Sequence, residues 1–429
     1  MLSGFIKKPT LRFKVFNCIA ISGLLAVSQG INAAPSQPQI LKTLSSFLLQ
    51  VERKHPRLKI NQAQLQAAKA RTRAASQPLY NPEINLDAER VSLNRNGRSE
   101  AVLIGVSKTF DWHDKRSARK NVAIIAQKVV ASSKDNTRQA LITAVFSALA
   151  DYQAQREIIG AHAKRLKLAK QMLFQAQRLY KAGEISKLEM EQIRLSQTRT
   201  QLTLNQAQTN LATQAQKLVT TSGDARKQWP RLPYAPPPLR VNQLNYDQLV
   251  NNLPALKTQI IRIAQARSEM RLKVREKKAD PTLGVRVGGD DSEEVLGVTL
   301  SIPLNIYNTY QADVGVARAN IRVAEATLDN NKYLLKSELK SAATTYQLTY
   351  QSWQSWRKIA SKSLKKQSHL LMGLWRAGEL STSDYLVQLN QIREAELNNV
   401  ELKGNVWKAW FNWLGKSNQF KSWLNGQIK

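Results

Sequence analysis

Side chains that commonly carry catalysis or bind metal ions are few and widely separated in this sequence of 429 residues. It has four histidines and a single cysteine: His55, His113, His162, His369 and Cys18. No His-Glu or Cys-Cys spacing suits a metal site. The sequence therefore predicts that the protein is not an enzyme and holds neither a metal ion nor another cofactor.

A seven-residue motif with polar and glycine positions at fixed spacing occurs twice. YKAGEIS at 180–186 recurs as WRAGELS at 375–381, 195 positions later. In each copy a glycine, Gly183 or Gly378, suits the left-handed end of a helix, and the closing serine can cap the next helix. The motif therefore predicts two helical hairpin turns.

A similar offset relates other parts of the chain. HPRLK at 55–59, which we expect to open the first helix, corresponds to LPALK at 253–257, and GVS at 105–107 corresponds to GVT at 297–299. Internal repeats of this kind indicate a duplicated structural unit. The proline-rich segment between the two copies reads as a linker, because five prolines in ten residues exclude helix and leave few donors for a sheet. The predicted division is a signal peptide at 1–34, a first repeat at 35–228, a linker at 229–240, a second repeat at 241–415 and a C-terminal tail at 416–429.

The first residues have the features of a secretory signal peptide. Basic residues precede an apolar run at 15–27, and two alanines follow at 33 and 34. The apolar run is shorter than the roughly 20 residues that a membrane-spanning helix needs, which disfavours a retained anchor. Because Cys18 falls within this segment and lacks the surroundings of a lipoprotein processing site, we expect a mature chain without lipid or disulfide.

The two turns must connect long helices, and the sequence contains long proline-free stretches that suit them. They run over 115–182 and 184–221 in the first repeat and over 310–414 in the second. Apolar residues within them recur every three or four positions, which is typical of packed helices. A helix of about 65 residues would be roughly 100 Å long. Tyr346, Tyr350, Trp353 and Trp356, and also Trp407, Trp410 and Trp413, lie at helical spacing, which favours packing between helices over a ligand site.

Each repeat also contains two segments in which apolar and polar residues alternate. They lie near 82–92 and 100–110 in the first repeat, and near 281–289 and 294–303 in the second. This is about the length that a tilted strand needs to cross a bilayer. Polar connections rich in Asn, Gly, Asp and Glu read as hairpin loops facing water.

Four strands are too few to close a barrel in one chain. If the strands lie in lipid, several chains must share them, because an open sheet edge would leave backbone groups unpaired there. Three chains would supply twelve strands. The alternative is a soluble hairpin packed on the helices, as in other α+β proteins.

The chain has a formal net charge of +33. The basic residues are dispersed on predicted helix faces and are not clustered with aromatic residues, so we predict no nucleic-acid partner. They are either solvated helix faces or part of a basic lumen or surface. The second interpretation leads to the hypothesis that a lumen would favour anionic solutes.

These features together resemble the TolC family of outer membrane efflux proteins. The segments that carry the resemblance span both repeats: HPRL at 55–58, NPEINL at 81–86, GVSKTFDW at 105–112, DKRSAR at 114–119 and SIPLNIYN at 301–308. They look most like the CzcC branch, which serves heavy-metal efflux. The family implies an α+β membrane protein in which three chains share a twelve-stranded β-barrel above a long α-helical coiled-coil barrel.

The resemblance also implies a function. The chain would be a homotrimeric exit duct in the outer membrane of a Gram-negative bacterium, with its helices in the periplasm. It would contact a periplasmic adaptor (membrane fusion) protein and, through it, an inner-membrane pump of the RND type, and would passively conduct small solutes such as metal ions or drugs. The alternatives are the outer membrane component of type I protein secretion and, in another class, a soluble periplasmic coiled-coil scaffold.

Family members dock the adaptor through an Arg, a Gly and a Ser at the helical turns. Arg178, Gly183 and Ser186 supply this set in the first repeat. In the second repeat the position of the arginine is a glycine, so the resemblance carries over only Gly378 and Ser381.

Family members often narrow the duct with acidic residues just after the second turn. Asp384 occupies that place, whereas the next acidic position of the family is Val387 here. A ring of carboxylates would impede anions and attract cations. The alternative role of Asp384 is that of an exposed aspartate near a helix N-terminus, favoured there by the helix dipole.

Overall fold

A computed structural model describes residues 37–93, 97–226, 228–289 and 293–428. The predicted signal peptide at 1–34, including Cys18, lies outside the described residues. The elements of the first repeat are α1 Gln37–Lys54, α2 Pro56–Ala75, β1 Glu83–Leu93, β2 Gly97–Thr109, α3 Lys115–Lys181 and α4 Lys187–Ser222. A 3₁₀ turn at Val241–Gln243 follows, and the remaining elements are α5 Tyr246–Asn251, α6 Pro254–Glu276, β3 Thr282–Gly289, β4 Glu294–Ser301, α7 Gln311–Arg376, α8 Thr382–Ser417 and α9 Phe420–Leu424.

The helix that begins after His55 is the second helix and not the first, so that expectation is wrong. The amphipathic segment Gln37–Lys54 forms α1 before it. His55 then caps α2, because its Nδ1 accepts a hydrogen bond from the Arg57 backbone N–H at 3.1 Å. Pro56 occupies the first turn of α2, where a missing N–H leaves no hydrogen bond unmade.

The four strands form one antiparallel sheet in the order β1-β2-β3-β4. Their register aligns Ile84 with Val106, Val106 with Val285, and Val285 with Val298. Because side chains alternate between faces, this register collects most of the apolar residues of the four strands on one face. β1 and β4 are the edges of the sheet, and neither has a further strand partner within the described residues.

The apolar face of the sheet is exposed in the single chain. Each of the following side chains is between 45 and 77% exposed: Ile84, Leu86, Val102, Ile104, Val106, Leu283, Val285, Val287, Leu296, Val298 and Leu300. A continuous apolar surface of this kind marks a site that another apolar phase or partner covers.

The opposite face of the sheet is polar and contains several glycines. Gly105 and Gly297 flank Arg286 and leave room for its side chain: a Cβ at Gly297 would lie 2.9 Å from Arg286 Nε, and one at Gly105 would lie 3.2 Å from Arg286 Cβ. Asn85 Nδ2 donates to Ser107 Oγ on the same face at 3.1 Å. Leu103 and Val295 are apolar exceptions on this face, which otherwise differs from the apolar face in character.

The long helices pack as two hairpins. α3 packs along α4, α7 packs along α8, and α3 also contacts α8 and α6. A main core of aromatic residues lies where these helices meet the linker. Its largest fully buried side chains include Trp353, Trp410, Trp413, Tyr346, Phe146 and Phe411. The prediction that the aromatic stripes pack between helices is confirmed for Tyr346, Trp353, Trp410 and Trp413. Truncating one such ring to alanine costs about 3–5 kcal/mol in typical cores.

The proline-rich segment lies against the long helices. Trp229 is buried, with its ring 5.9 Å from that of Phe47. The Leu232 backbone N–H donates to Gln153 Oε1 at 3.0 Å, and the Tyr346 hydroxyl donates to the Pro237 carbonyl. Because prolines leave few backbone donors, these side chains of the helices supply the hydrogen bonds that hold the segment.

The C-terminal residues are part of the main core. α8 extends to Ser417, beyond the predicted boundary at 415, and α9 follows within the segment 416–429 that is expected as a tail. Phe420 and Trp423 of α9 are buried, with the Trp423 ring 5.6 Å from that of Phe411. Aromatic burial therefore fixes this segment.

A buried ion pair ties the sheet to the long helix α3. Asp280, which is 5% exposed and precedes β3, accepts a hydrogen bond from the Tyr80 hydroxyl at 2.8 Å. Lys115 Nζ lies 2.9 Å from the same Asp280 oxygen and also donates to the Lys278 carbonyl at 2.6 Å. Burial acts to raise the pKa of Asp280, but the hydrogen bonds from Lys115 and Tyr80 outweigh it and hold that pKa below its ordinary value. The same burial, with the hydrogen bond to Asp280, raises the pKa of Tyr80 to about 12.

None of the described helices combines the length and apolar character needed to cross a membrane.

Candidate docking and constriction site at the helical turns

The two repeated motifs form the same backbone turn. α3 ends at Lys181, and Gly183 follows with φ +80°; α7 ends at Arg376, and Gly378 follows with φ +75°. In the first turn Glu184 N–H donates to the Leu179 carbonyl at 2.9 Å, and the second turn has the equivalent bond at 3.0 Å. This is the Schellman arrangement, which needs a residue in the left-handed conformation and therefore favours glycine.

Serine caps the helix that follows each turn, but the two caps differ. At the first turn, Ser186 Oγ accepts from the Glu189 backbone N–H at 3.2 Å, and Glu189 Oε2 accepts from the Ser186 backbone N–H at 2.9 Å. This is a complete capping box. At the second turn, Ser381 Oγ accepts from the Asp384 backbone N–H at 3.1 Å and donates to Asp384 Oδ2 at 2.7 Å.

Glu189 and Asp384 occupy equivalent places in the two repeats, 195 positions apart. The hydrogen bonds from the Ser186 backbone and hydroxyl are the main cause that lowers the pKa of Glu189 from its ordinary value. Both side chains therefore lie in the first turn of a helix, and Asp384 is exposed there, which is the position that its alternative role describes. Its role at a constriction stays a prediction.

A hydrogen-bond chain joins the two turns. Thr382 Oγ1 donates to Glu189 Oε1 at 3.1 Å, and Trp375 Nε1 donates to Thr382 Oγ1, also at 3.1 Å. Thr382 is only 2% exposed, and the Trp375 ring stacks on Tyr385 with centroids 5.3 Å apart. The Glu189 carboxylate of the first repeat is thus bonded to the buried Thr382 hydroxyl at the start of α8 in the second repeat.

Sequence reasoning missed Glu189, Thr382 and Trp375 as a connected group. The repeat contained a usable signal for Glu189, because it aligns with Asp384, the acidic residue that we single out. It contained none for Thr382, whose counterpart in the first repeat is the exposed Lys187. Burial of Thr382 follows from how the hairpins pack and not from the local motif.

The structure places the residues of the predicted docking set on the surface at this end of the hairpins. Arg178, Gly183 and Ser186 are exposed within one helical turn and the loop that follows it. Gly378 and Ser381 are exposed at the second turn, where Gly373 stands in place of an arginine. The two turns therefore present different surfaces, because the position of Arg178 in the first repeat has no side chain in the second.

A small core lies beside the turns and supports them. It consists of Met172, Ala176, Ile193, Leu371, Trp375, Tyr385 and Ile392, contributed by all four long helices. Exposed apolar side chains also lie near the turns, including Leu188, which is 69% exposed, and Val387, which is 54% exposed. Such side chains favour contact with a partner over contact with water.

The histidines have separate, local roles. His55 caps α2, and His113 Nδ1 lies 3.6 Å from Asp280. His162 is buried on α3, where burial and, to a lesser extent, the charge of Arg165 lower its pKa. In the part of the chain that the structure describes, no group of three or more His, Cys, Asp or Glu side chains is placed to hold a metal ion.

Comparison with known proteins agrees with this architecture. Residues 48–224, which cover most of the first repeat, match the family model described as outer membrane efflux protein. No curated protein sequence matches the chain. Among solved structures, the chain is similar to CusC, with a TM-score of 0.74 and 13% identity over 88% of this chain and 92% of CusC.

Two further solved structures show the same likeness. The outer membrane channel CmeC of Campylobacter jejuni has a TM-score of 0.70 and 13% identity over 98% of both chains. The outer membrane protein VceC of Vibrio cholerae has a TM-score of 0.67 and 15% identity over 90% of this chain and 99% of VceC. The predicted fold class, long helices with a small four-stranded sheet, is confirmed, and it is the fold of these proteins.

Proposed function

We propose that the chain is one of three subunits of an outer membrane channel that serves as the passive exit duct of a tripartite efflux pump. The observation that carries the proposal is the four-stranded sheet, which has one continuous exposed apolar face and two unpaired edges among the described residues. Unpaired edges are not tolerated in lipid, so three such sheets joined edge to edge would give a closed twelve-stranded barrel.

The family match and the structural likeness support this proposal. The family model that matches residues 48–224 is that of outer membrane efflux proteins. The proteins that share the fold across most of their length are described as a transmembrane channel, for CusC, and as an outer membrane channel, for CmeC. On this proposal residues 1–34 direct export, the helices lie in the periplasm and the sheet lies in the outer membrane of a Gram-negative bacterium.

The finer assignment rests on sequence resemblance. We propose that the partner pump is of the RND type and that the chain belongs with the CzcC branch, because the motifs at 81–86, 105–112 and 301–308 look most like that branch. Metal ions or drugs would be the conducted solutes. Selectivity would then reside mainly in the pump.

The direct test is the location and mass of the protein. The full chain is expressed in a Gram-negative host, the inner and outer membranes are separated, and the molecular mass of the detergent-extracted protein is measured. We expect a trimer in the outer membrane fraction. A soluble periplasmic monomer or dimer would instead support a helical scaffold.

A matched pair of variants tests which face of the sheet meets lipid. Leu86 is 71% exposed on the apolar face, and its neighbour Asn85 points to the polar face. An arginine at the middle of a barrel's lipid face costs about 2–4 kcal/mol, whereas a residue on the lumen face is tolerated. Leu86→Arg should therefore lower the amount of trimer in the outer membrane, and Asn85→Arg should not. Equal losses would contradict the assignment of the faces.

We further propose that the exposed turns dock the periplasmic adaptor. Arg178, Gly183 and Ser186 would bind it at the first turn, and Gly378 and Ser381 would contribute at the second. A photo-crosslinking residue at Lys181 should capture the adaptor in cells, and Arg178→Glu should reduce that capture. The control is Arg199→Glu on the exposed face of α4, farther from the turn, which should leave capture unchanged.

Asp384 is the residue that we propose for the constriction. Three copies in a trimer would place a ring of negative charge at the turn end of the duct, which favours cations. Asp384→Asn retains an oxygen that can accept from the Ser381 cap, so the variant removes the charge and keeps the helix N-terminus. Reversal potentials across planar bilayers should move toward anion preference in this variant. Anion preference in the unmodified protein would instead support the basic-lumen hypothesis.

A further inference from the structure

A cavity of about 800 Å³ lies between the long helices, beside the small core next to the turns. Its lining residues come from α3, α4, α7 and α8. A volume of 300–1,000 Å³ is typical of sites that bind small organic molecules. The docking and constriction roles proposed above do not use this cavity.

The charged side chains that line the cavity are all basic. They are Arg165, Lys170, Arg376 and Arg393, and His369 lines it as well. Among the described residues, no aspartate or glutamate lines this cavity or the adjoining smaller one that shares Arg165 and Asn390 with it. The wall therefore presents positive charge with nothing on it to neutralise that charge.

Arg165 and Arg393 are partly buried without a carboxylate partner. Within the described chain, Arg165 Nη2 donates to Asn390 Oδ1 at 3.0 Å, and neither arginine forms an ion pair. Two other partly buried arginines, Arg138 and Arg226, do pair with carboxylates. An arginine fork taken out of water without a partner carries a substantial desolvation cost.

The surroundings act unfavourably on both charges. Burial, followed by the charge of Arg393, lowers the pKa of Arg165, and the charges of Glu394 and Glu396 oppose this only in part. Burial likewise lowers the pKa of Arg393, with Glu396 and Tyr385 acting in the opposite direction. Arginine nevertheless stays protonated in proteins, so two cations remain close together. A bound anion would relieve both the desolvation and the repulsion.

The remainder of the wall is mainly apolar. Leu168, Phe174, Met372, Leu386 and Leu389 line the cavity together with the ring of Trp375. Phe174 is 59% exposed although it borders this space. A small hydrated ion such as sulfate would leave these side chains uncovered. A molecule with an apolar body would cover them and gain roughly 25 cal/mol for each Å² of apolar surface removed from water.

We propose that this cavity binds an amphiphilic organic anion, with its carboxylate or sulfonate between Arg165 and Arg393 and its apolar body against Phe174 and Leu389. Guanidinium groups bind such oxyanions with two parallel hydrogen bonds, which gives both charge and geometry to the recognition. The proposal rests on the fold of one chain and does not require that the assembly be an efflux duct.

Calorimetric titration of the assembled full-length protein in lipid nanodiscs tests the proposal, with empty nanodiscs as the blank. The probe is naphthalene-2-sulfonate, and its neutral analogue naphthalene-2-methanol and inorganic sulfate are the comparisons. We expect one sulfonate bound per chain, with an affinity at least tenfold higher than that of either comparison, because a charge-assisted hydrogen bond contributes about 1.5–3 kcal/mol. Equal binding of the neutral analogue would overturn the proposal.

Variants test the two arginines individually. Arg165→Gln and Arg393→Gln should each weaken sulfonate binding about tenfold or more. Arg194→Gln should not, because Arg194 is exposed on α4 and pairs with Glu191 outside the cavity. Arg393→Lys keeps the charge but not the fork and should give an intermediate affinity, which distinguishes loss of binding from loss of folding. Unchanged affinity in both glutamine variants, or no sulfonate binding because a neighbouring subunit fills the cavity, would refute the proposal.

Discussion

At the sheet end of α3, Lys115 lies in a buried ion pair with Asp280, 9% and 5% exposed respectively. At the opposite end of the long helices, a hydrogen bond from Thr382 of α8 to Glu189 of α4 connects the two turns. Separating the sheet end would leave a buried charge without a partner, whereas separating the turn end breaks a single hydrogen bond from a buried hydroxyl to a half-buried carboxylate, which costs less. The polar connection is therefore expected to be stronger near the sheet than at the turns.

The largest expected effect comes from removing the buried carboxylate at the sheet end. Asp280→Asn leaves Lys115 buried without its counter-charge, and breaking such a pair typically costs about 3–5 kcal/mol. The thermal unfolding midpoint of the detergent-solubilised protein should fall clearly. Asp247→Asn is the matched control, because Asp247 pairs with Lys336 on the surface. If both variants unfold alike, the buried pair contributes no more to stability than a surface pair does.

The same ion pair predicts a dependence of stability on pH. The pKa of Asp280 in the folded protein lies below its ordinary value of 3.8, because the hydrogen bonds outweigh the effect of burial. Its contribution is therefore complete above about pH 4 and is lost as the pH falls through the folded-state pKa. The difference in unfolding midpoint between the unmodified protein and Asp280→Asn should shrink progressively below pH 4. A constant difference down to pH 2 would assign the effect to something other than this carboxylate.

A smaller effect is expected at the turn end. Thr382→Val removes the donor to Glu189 and the acceptor for Trp375 and keeps the side-chain shape, so it should cost about 1–3 kcal/mol. Because the bond joins the two turns, amide hydrogen exchange should accelerate at both of them and remain unchanged around Asp280. Thr198→Val serves as the control, since the Thr198 hydroxyl bonds only within the exposed face of α4. If exchange at the turns of Thr382→Val is as slow as in the unmodified protein, packing of Trp375 on Tyr385 is sufficient to keep the turns together.

The strands and the turns at the two ends of the long helices were predictable from the sequence, because local residue patterns specify them. Alternation over ten residues places the strands, and the glycine and serine of each motif specify the turn and the cap. The attachments at either end were not predictable in the same way. Tyr80 and Asp280 are 200 positions apart, and Thr382 meets Glu189 across 193 positions. Both copies of the motif form the same turn, so the motif itself does not show that Thr382 is buried whereas its counterpart Lys187 is exposed.

The smallest effect is expected when the glycine of either turn is replaced by alanine. Gly183 and Gly378 both have positive φ, and a Cβ at either position would meet no atom within 4 Å. Alanine at either position should therefore cost only the conformational penalty of about 1–2 kcal/mol, and should cost the same in both. Gly160→Ala is the internal control, because this glycine lies within α3 with open space around it, so alanine there should stabilise the helix by about 0.5–1 kcal/mol. Unfolding midpoints of the three variants give the comparison. A larger loss for Gly378→Ala than for Gly183→Ala would show that the buried Thr382 and Trp375 make the second turn less able to relax, so that the tertiary contact and not the motif sets the cost of altering it.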